Sequence, residues 1–598
     1  MSEDFWPIID KECLNEDDFE DEKKDESEIE YLLRKAKANS LEEIPHKGPS
    51  AFDIPEDPTS FSAAMRSEHK EQWLQACAEE IKAMLDHNVW EVVDREPIQR
   101  SNRNIVHSKW VFKFKTTPHF KFKARLVAKG FEQLEGVDYF ETFSPTMRHS
   151  TLRTFLTYAA SRDLDLNHFD IGSAFLNGAL QEEIFMEVPT GMEKIFSKLE
   201  EGSHDFKNKC LRLLKALYGL KQAPLCWYKD LKKTLLKLGF RQSNMDPCIY
   251  VKREGEKETL IGVFVDDLAV ATNDKSSVEW LRHELSKRYK LHDYGELKTF
   301  LGFEIERDWS TKTILMSQKT YANKVVQRFL PGCDGMSARS PMSAALNLHD
   351  ESHLGSALYS GGDYRAAVGS LLYLSGGTRP DLAHSVHMIS QHSHEPRVKH
   401  WNAVERILQY LNGSTTLGLR LGGDISTGLT CYVDANHAGQ NDGCWSKDLG
   451  VWVDGGKATT GFVFYLGNSL VSWRSKKQTR QTATSSTEAE VIALVAATKE
   501  ASFLSRLCED MCVTYPRGRP VRVLEDNTSC ITIVTRGTLS ERTKHFRVDY
   551  FYVTSEMEEG KIELTHCPTK QMIADTFTKS LPVEDFLRFR RQFMFDCR

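Results

Sequence analysis

Leu260-Ile261-Gly262-Val263-Phe264-Val265-Asp266-Asp267-Leu268-Ala269-Val270-Ala271 sets two adjacent carboxylates inside a run that otherwise reads as buried strand. β-Branched and aromatic residues flank the pair on both sides. An Asp-Asp pair has two readings. One is a solvated hairpin turn, where Asp is common. The other is a cation site at the edge of a packed sheet, because two like charges near a core are costly unless a cation neutralises them. The second reading needs a third carboxylate from elsewhere in the chain, and hard oxygen ligands point to a divalent metal.

The surrounding chain is long enough to supply it. With 598 residues and about 150 residues per domain, three or four units are expected. A 40% apolar, 27% charged composition is that of an ordinary globular protein. No apolar run approaches the roughly 20 residues of a membrane span, and Met1-Ser2-Glu3-Asp4 lacks the basic start of a signal peptide. Thirteen cysteines are scattered without paired CxxC spacing, as in a reducing compartment. Cys508 and Cys512 are spaced to share a helix face, and read as structural thiols. The expectation is an intracellular protein, not secreted and not membrane-bound. The net charge of −7 divides unevenly: residues 1–60 hold 19 acidic and 7 basic side chains, the remainder 66 acidic and 71 basic. The acidity is a tail, expected to be disordered over residues 1–58, and the mildly basic body permits phosphate binding.

Several segments around the pair carry chemistry. A helix is expected from Phe61 to Leu85, and strands at Trp90–Val93 and Trp110–Lys115. Lys121-Phe122-Lys123-Ala124-Arg125-Leu126-Val127-Ala128-Lys129 alternates cationic and apolar residues, so one strand face packs while the other offers charge to solvent or to phosphates. A helical segment, Leu152–Arg162, precedes Leu166-Asn167-His168-Phe169-Asp170, a strand-like run ending in a carboxylate. Asp170 is either a cap or the missing third ligand. Leu217-Tyr218-Gly219-Leu220-Lys221-Gln222-Ala223-Pro224 reads as a loop leading into a helix through Trp227 and Leu238.

Together these stretches resemble the reverse transcriptase of copia-class long-terminal-repeat retrotransposons. The matching wording is Lys109–Lys113, Lys123–Phe131, Tyr139-Phe140-Glu141-Thr142-Phe143-Ser144-Pro145, Asp170–Gly178, Leu217–Pro224, Asp246-Pro247-Cys248-Ile249-Tyr250, Phe264–Asp267, Gly295–Lys298 and Phe300–Ile305, in that order. The resemblance implies a right-hand polymerase in which Asp170, Asp266 and Asp267 hold two Mg²⁺ ions, or Mn²⁺ in their place. It makes Phe175 the steric gate against the ribose 2′-hydroxyl, puts Gln222 on the incoming nucleotide, and pairs Arg125 and Lys113 with its triphosphate. Phe300, Leu301 and Gly302 become the primer grip. Two departures stand out: Phe264 where Tyr is commoner, and Leu225-Cys226 for the usual Arg-small pair before Trp227.

The family pattern continues through Tyr364–Leu374, Thr378–Ala383, His400-Trp401 and Arg406–Leu411, read as helical thumb and connection. From Leu429 a new unit begins. Leu429–Asp434 is a strand ending in a carboxylate, followed by strands at Thr460–Leu466 and Leu470–Trp473 and a helix from Ser486 to Leu504. A strand at Val521–Asp526, another at Lys561–His566 and a closing helix opened by Ile573–Lys579 complete the element order of an RNase H fold. The family wording at Ser485–Glu490 and Arg542–His545 agrees. Asp434, Glu490, Asp526 and Asp575 would then form a second two-metal site that hydrolyses the RNA of an RNA–DNA hybrid. Glu490 is preferred over Glu488 by its Ala-Glu-aliphatic context, and His566 has two readings, an aid to product release and a plain loop histidine. Asn436-His437 depart from the usual Asp-Trp, and residues 441–458 carry extra length.

The expected architecture is therefore α+β and α/β multidomain: an acidic segment at 1–58, fingers and palm at 59–308, thumb and connection at 309–427, and an RNase H-like domain at 428–598. Its partners would be an RNA template, a DNA or RNA primer, RNA–DNA hybrid and dNTPs. Its place would be the cytoplasm, a virus-like particle if the element is active, or the nucleus. The competing class is an inactive, decayed or host-retained fragment that only binds nucleic acid. A group II intron or telomerase-like enzyme is disfavoured, because the copia wording runs on through the RNase H segment.

Overall fold

The computed structural model describes residues 56–598 apart from 116–119, 201–204, 333–334, 347, 349–357, 438–443, 447–450, 454–456, 479–482, 484, 514–518, 537–546 and 598. The acidic segment before residue 56 and the Arg542–His545 motif lie outside the described residues. Among the described residues no helix is long and apolar enough to cross a membrane.

The first layer is built on two aromatic strands. Ser108–Lys115 and Lys121–Ala128 pair in antiparallel register, with Trp110, Phe112, Ala124, Leu126 and Ala128 buried on one face. Arg125 projects from the other, as the alternation predicts. Helix Lys70–Asp86 covers the buried face through Trp73, Cys77, Ile81 and Met84, and the Trp73 ring meets Phe112 and Phe122 edge-on at 5.3 and 4.7 Å. The single helix expected from Phe61 is broken. Phe61–Ala64 is one capped turn, and the Ser67 hydroxyl takes the Ala64 carbonyl at 2.7 Å, diverting a helix acceptor. A four-stranded sheet, Trp90–Asp94, Lys209–Lys215, Ala179–Met186 and Ile105–Val106 in spatial order, completes this fingers-like layer.

The second layer is a six-stranded sheet in the order Lys290–Glu296, Asp165–Gly172, Asp267–Thr272, Lys257–Phe264, Ile249–Glu254 and Arg241–Gln242. Its central strands are apolar on both faces because helices cover one side and helix His149–Ser161 lies beneath. That helix is buried all round, from Ser150 through Ala160. It is wedged against strands Thr313–Ser317, Leu417–Gly422 and Ser469–Lys477, which cover its Ser, Thr and Arg positions as well as its apolar ones.

A third sheet, of Thr299–Phe300, Phe303–Asp308, Thr313–Ser317, Leu417–Gly422 and Phe595–Asp596, ties distant parts of the chain together. The boundary expected at 308 falls inside its hairpin, where Asp308 pairs with Thr313. Helices Tyr364–Gly377, Ala383–Ser390 and Val398–Asn412 pack on it as a thumb-like bundle with helix Lys319–Phe329.

The last unit is a five-stranded sheet ordered Ser469–Lys477, Thr459–Leu466, Leu429–Asn436, Val521–Glu525 and Ile562–His566. The first three strands are antiparallel and the last two join in parallel, with helix Ser486–Asp510 across one face: the RNase H topology. Helix Ser486–Asp510 outruns the expected end at Leu504 but stops before Cys512, which has φ +58°, so Cys508 and Cys512 share no helix face. The expected closing helix is two short ones, Asp575–Thr578 and Val583–Arg590, split by Pro582. Within 441–458, Cys444–Ser446 and Val451–Val453 pair as a small hairpin. One continuous apolar core runs from the six-stranded sheet through the third sheet into this unit.

Candidate active sites

Strand register brings the first carboxylates together. Asp170 lies directly across from Asp267 on neighbouring antiparallel strands, and the Ile171 N–H donates to the Asp266 carbonyl at 3.0 Å. Phe264 pairs with Asp267, so Val265-Asp266 is a two-residue hairpin turn. The turn reading is met; the three carboxylates are neighbours in the fold without bringing three ligand atoms within 4.8 Å of one another. Val265 adopts φ +56°, which for a β-branched residue costs on the order of 1–3 kcal/mol. The Trp227 indole N–H, donating to the Val265 carbonyl at 2.6 Å, holds the turn in place. His168 Nε2 stands 3.1 Å from Asp267 Oδ1, and His292 faces Asp170 from the edge strand. Burial, then the Asp267 charge, pushes the Asp170 carboxyl above its ordinary range, while His292, His168 and Lys123 pull it back.

A cationic strand lies within electrostatic reach of this floor, Lys123 acting on Asp170. Arg125 is exposed, its guanidinium 5.2 Å from the Tyr218 ring. Burial and the neighbouring Arg125 bring the Lys123 ammonium down to about 8. Lys113 pairs with Lys123 in register and makes an ion pair with Asp57 at 3.2 Å. Phe175 lies on a short 3-10 turn, Ala174–Asn177, entered through Ser173 at φ +56°; its ring meets Tyr218 edge-on at 4.9 Å. Gly219, at φ +93°, lets this loop press on the cationic strand: a Cβ there would stand 2.1 Å from the Ala128 carbonyl oxygen.

Gln222, expected at the nucleotide, is 1% exposed. Its amide N–H groups donate to Asp138 O at 2.8 Å and Glu182 Oε2 at 3.3 Å, and its carbonyl accepts from Gln133 at 3.0 Å. Phe300 is buried against the His168 ring. Leu301 and Gly302 form the two-residue turn beyond it, with φ +54° and +81°, and the Tyr373 hydroxyl donates to Leu301 O at 2.7 Å.

The second cluster is far more buried. Among the described residues, Asp434, Glu490 and Asp526 alone bring three ligand atoms within 4.8 Å of one another; Glu488 is not in that group. Asp434, two residues before the end of its strand, lies opposite Gly461, where a Cβ would strike Thr578 Cγ2 at 2.5 Å, so the glycine lets the short helix Asp575–Thr578 nest on the sheet. The Thr578 hydroxyl donates to Asp434 Oδ2, and Lys579 Nζ lies 2.7 Å from Asp575 Oδ1. Glu525, adjacent to Asp526, is a fifth carboxylate with no exposure at all. Burial and the Glu525, Asp434 and Asp526 charges push Glu490 up to about 11; burial and Asp434 push Asp575 up to about 7. Glu490 Oε2 is buried without a hydrogen-bond partner. Crowded hard oxygens with an orphaned carboxylate atom fit a divalent cation. His566 is exposed at the end of its strand, in register with Glu525.

Sequence reasoning missed Lys123, Tyr218, His292, Thr578, Lys579 and Glu525 as members of these sites. Gly461 within a strand was the available signal for the nested helix.

Residues 87–343 match the family described as reverse transcriptase (RNA-dependent DNA polymerase). The chain is 32% identical over 535 residues to the retrovirus-related Pol polyprotein from transposon RE2 of Arabidopsis thaliana, covering 88% of this chain and 34% of that one. It is 33% identical to the corresponding polyprotein from transposon TNT 1-94 of Nicotiana tabacum, covering 89% and 38%. The chain thus spans about a third of the length of these two relatives. The putative transposon Ty5-1 protein of Saccharomyces cerevisiae is 30% identical over 325 residues, which are 54% of this chain and 97% of that protein. A foamy viral protease–reverse transcriptase in complex with double-stranded DNA aligns with a TM-score of 0.44 at 13% identity, over 88% of this chain and 74% of that one. By these relationships the chain belongs to the copia-class retrotransposon Pol family.

Proposed function

We propose that this chain is an RNA-directed DNA polymerase fused to an RNase H that degrades the RNA of the hybrid it makes. The observation carrying the reading is the direct opposition of Asp170 and Asp267 with Asp266 in the adjoining turn, within electrostatic reach of a cationic strand. Two divalent cations per site, Mg²⁺ by the hardness of the donors or Mn²⁺, would be held by Asp170, Asp266 and Asp267 and by Asp434, Glu490, Asp526 and Asp575, supplying charge neutralisation and activation of the attacking oxygen.

The chain's own residues do the rest. Arg125 and Lys123 take the triphosphate, Arg by its bidentate fork; Lys113 supports them from the paired strand. Phe175, braced on Tyr218, walls the sugar and rejects a 2′-hydroxyl. Gln222 acts from within, fixing the 133–138 loop against the helix that begins at Ala223. Leu301-Gly302, tied by Tyr373, hold the primer strand. In the second site Thr578 and Lys579 orient Asp434 and Asp575. RNA template, primer, hybrid and dNTPs are the partners this reading requires, and the cytoplasm or a virus-like particle the setting.

The test is cDNA synthesis on a primed RNA template with Mg²⁺, comparing wild type with Asp266→Asn. Product in the wild type and none in the variant is expected. Equal background in both would favour a binding-only protein, the reading that the extra length at 441–458 and the acidic N-terminus leave open.

A further inference from the structure

Helix Ser486–Asp510 ends on a carboxylate, although the carbonyl end of a helix repels an anion. What holds Asp510 is the palm. Its Oδ2 accepts from Ser243 Oγ at 2.6 Å, Asn244 N at 2.7 Å and Met245 N at 3.2 Å. Arg241 adds an ion pair to Oδ1 at 3.4 Å and donates to the Asp510 carbonyl. The carboxylate is only 14% exposed. The palm thus supplies the donors that the helix end lacks.

Both ends of the connection matter. The palm segment Arg241–Asp246 leads into strand Ile249–Glu254, whose neighbour, Lys257–Phe264, runs to the Val265-Asp266 turn. On the other side, Glu490 and Asp510 ride on one unbroken helix, 20 residues or about 30 Å apart. A second anchor lies deeper. The buried Arg153 guanidinium donates to Val471 O at 2.7 Å and to Gly376 O and Gly377 O at 2.9 Å, and stacks 3.8 Å from the Trp473 ring centroid. It therefore joins the palm helix, the thumb and the RNase H edge strand at one point.

We propose that Asp510 and Arg153 are positioning residues that lock the RNase H unit onto the back of the palm, so that the long helix works as a rigid spacer fixing the distance between the two active sites. The spacing role rests on the function proposed above; the lock itself does not. Released from the lock, the unit keeps its own carboxylates but loses its register on the hybrid.

The test uses the full chain with Asp510→Ala and, because Arg153 is a core residue whose loss risks misfolding, the gentler Asp510→Asn. Amide hydrogen exchange at Asn244 and Met245 is expected to rise about tenfold or more in Asp510→Ala, and less in Asp510→Asn, while Leu268–Ala271 stays protected. With a hybrid engaged at its primer terminus, wild type should cut at one distance from the primer end and Asp510→Ala over a spread of positions, at a total rate within about twofold of wild type. Unchanged exchange at Asn244 and Met245 overturns the lock, as does loss of protection throughout the palm. Faster exchange with unchanged cut positions overturns the spacer. The exchange measurement reads the contact whether or not the chain polymerises, so failure of the lock is distinct from failure of the reverse transcriptase reading.

Discussion

The two carboxylate clusters solve the same problem in opposite ways. In the palm, three partly exposed aspartates sit near the end of one strand, at the start of the next and in a strained turn, and His292, His168 and Lys123 offset the rise of the Asp170 carboxyl. In the RNase H unit, Asp434, Glu490, Asp526 and Asp575 crowd into a nearly closed site backed by the wholly buried Glu525. The first is built from backbone geometry and tolerates its own charge. The second is built from burial, which pushes the Glu490 and Asp575 carboxyls up. Repulsion among carboxylates is therefore greater in the second site, and precision of backbone is greater in the first.

The sharpest way to break this contrast is to remove one carboxylate from each side. Asp267→Asn should lower polymerisation about a thousandfold, equivalent to about 4 kcal/mol, and leave hybrid cleavage intact; Glu490→Gln should do the reverse. Primer extension and RNA cleavage on the same hybrid read both, and cross-effects would show that the sites are not separable.

The pH dependence of the chelated protein comes next. Burial and the neighbouring carboxylates push Glu490 up to about 11 and Asp575 up to about 7, from their ordinary 4.5 and 3.8. Such acids hold protons in the folded state that the unfolded chain has already released, so stability is lost as pH rises from about 4.5. With EDTA present, the melting midpoint of the RNase H unit should fall by roughly 5 °C between pH 5 and pH 7. Glu490→Gln should flatten that slope, and Mg²⁺ should restore the midpoint. A flat profile in the wild type would mean that the cluster carries less charge strain than its burial implies.

Trp227→Phe tests the palm's dependence on backbone. Loss of the indole hydrogen bond to Val265 should cost about 1–1.5 kcal/mol at the turn, or roughly tenfold in polymerisation, with cleavage unchanged. The smallest effect is expected from Thr578→Val, which removes the hydroxyl from Asp434: a roughly threefold loss of cleavage, seen in kcat rather than in hybrid binding.

How much of this was legible in the sequence follows from which interactions are local. Alternation along Lys121–Ala128 gave the buried and cationic faces directly, because a strand's side chains alternate whatever it packs against. Asp170 could be nominated by its place at a strand end, but its opposition to Asp267 is a register between strands about a hundred residues apart, which no local pattern encodes. Gln222 shows the limit of resemblance: the residue is in its expected place in the chain, yet its amide is spent on Asp138, Glu182 and Gln133. Glu525 read as an ordinary strand residue next to Asp526, since burial behind a site is a tertiary fact. Asp510 was invisible for the same reason; its donors lie more than 260 residues earlier. The break at Ser67 was missed because side-chain capture of a carbonyl competes with a helix whose apolar spacing otherwise continues.

The strand Phe595–Asp596 pairs with Leu417–Gly422, the strand that precedes the RNase H unit. The unit thus enters and leaves through neighbouring positions of one sheet, as an inserted domain does, and is moored twice. A moored unit samples few orientations, since closing its long loop has already restricted the chain. A protease nick within residues 438–458 would then release nothing: both fragments would remain fastened to the same sheet, and the cut chain would migrate as one particle until denatured.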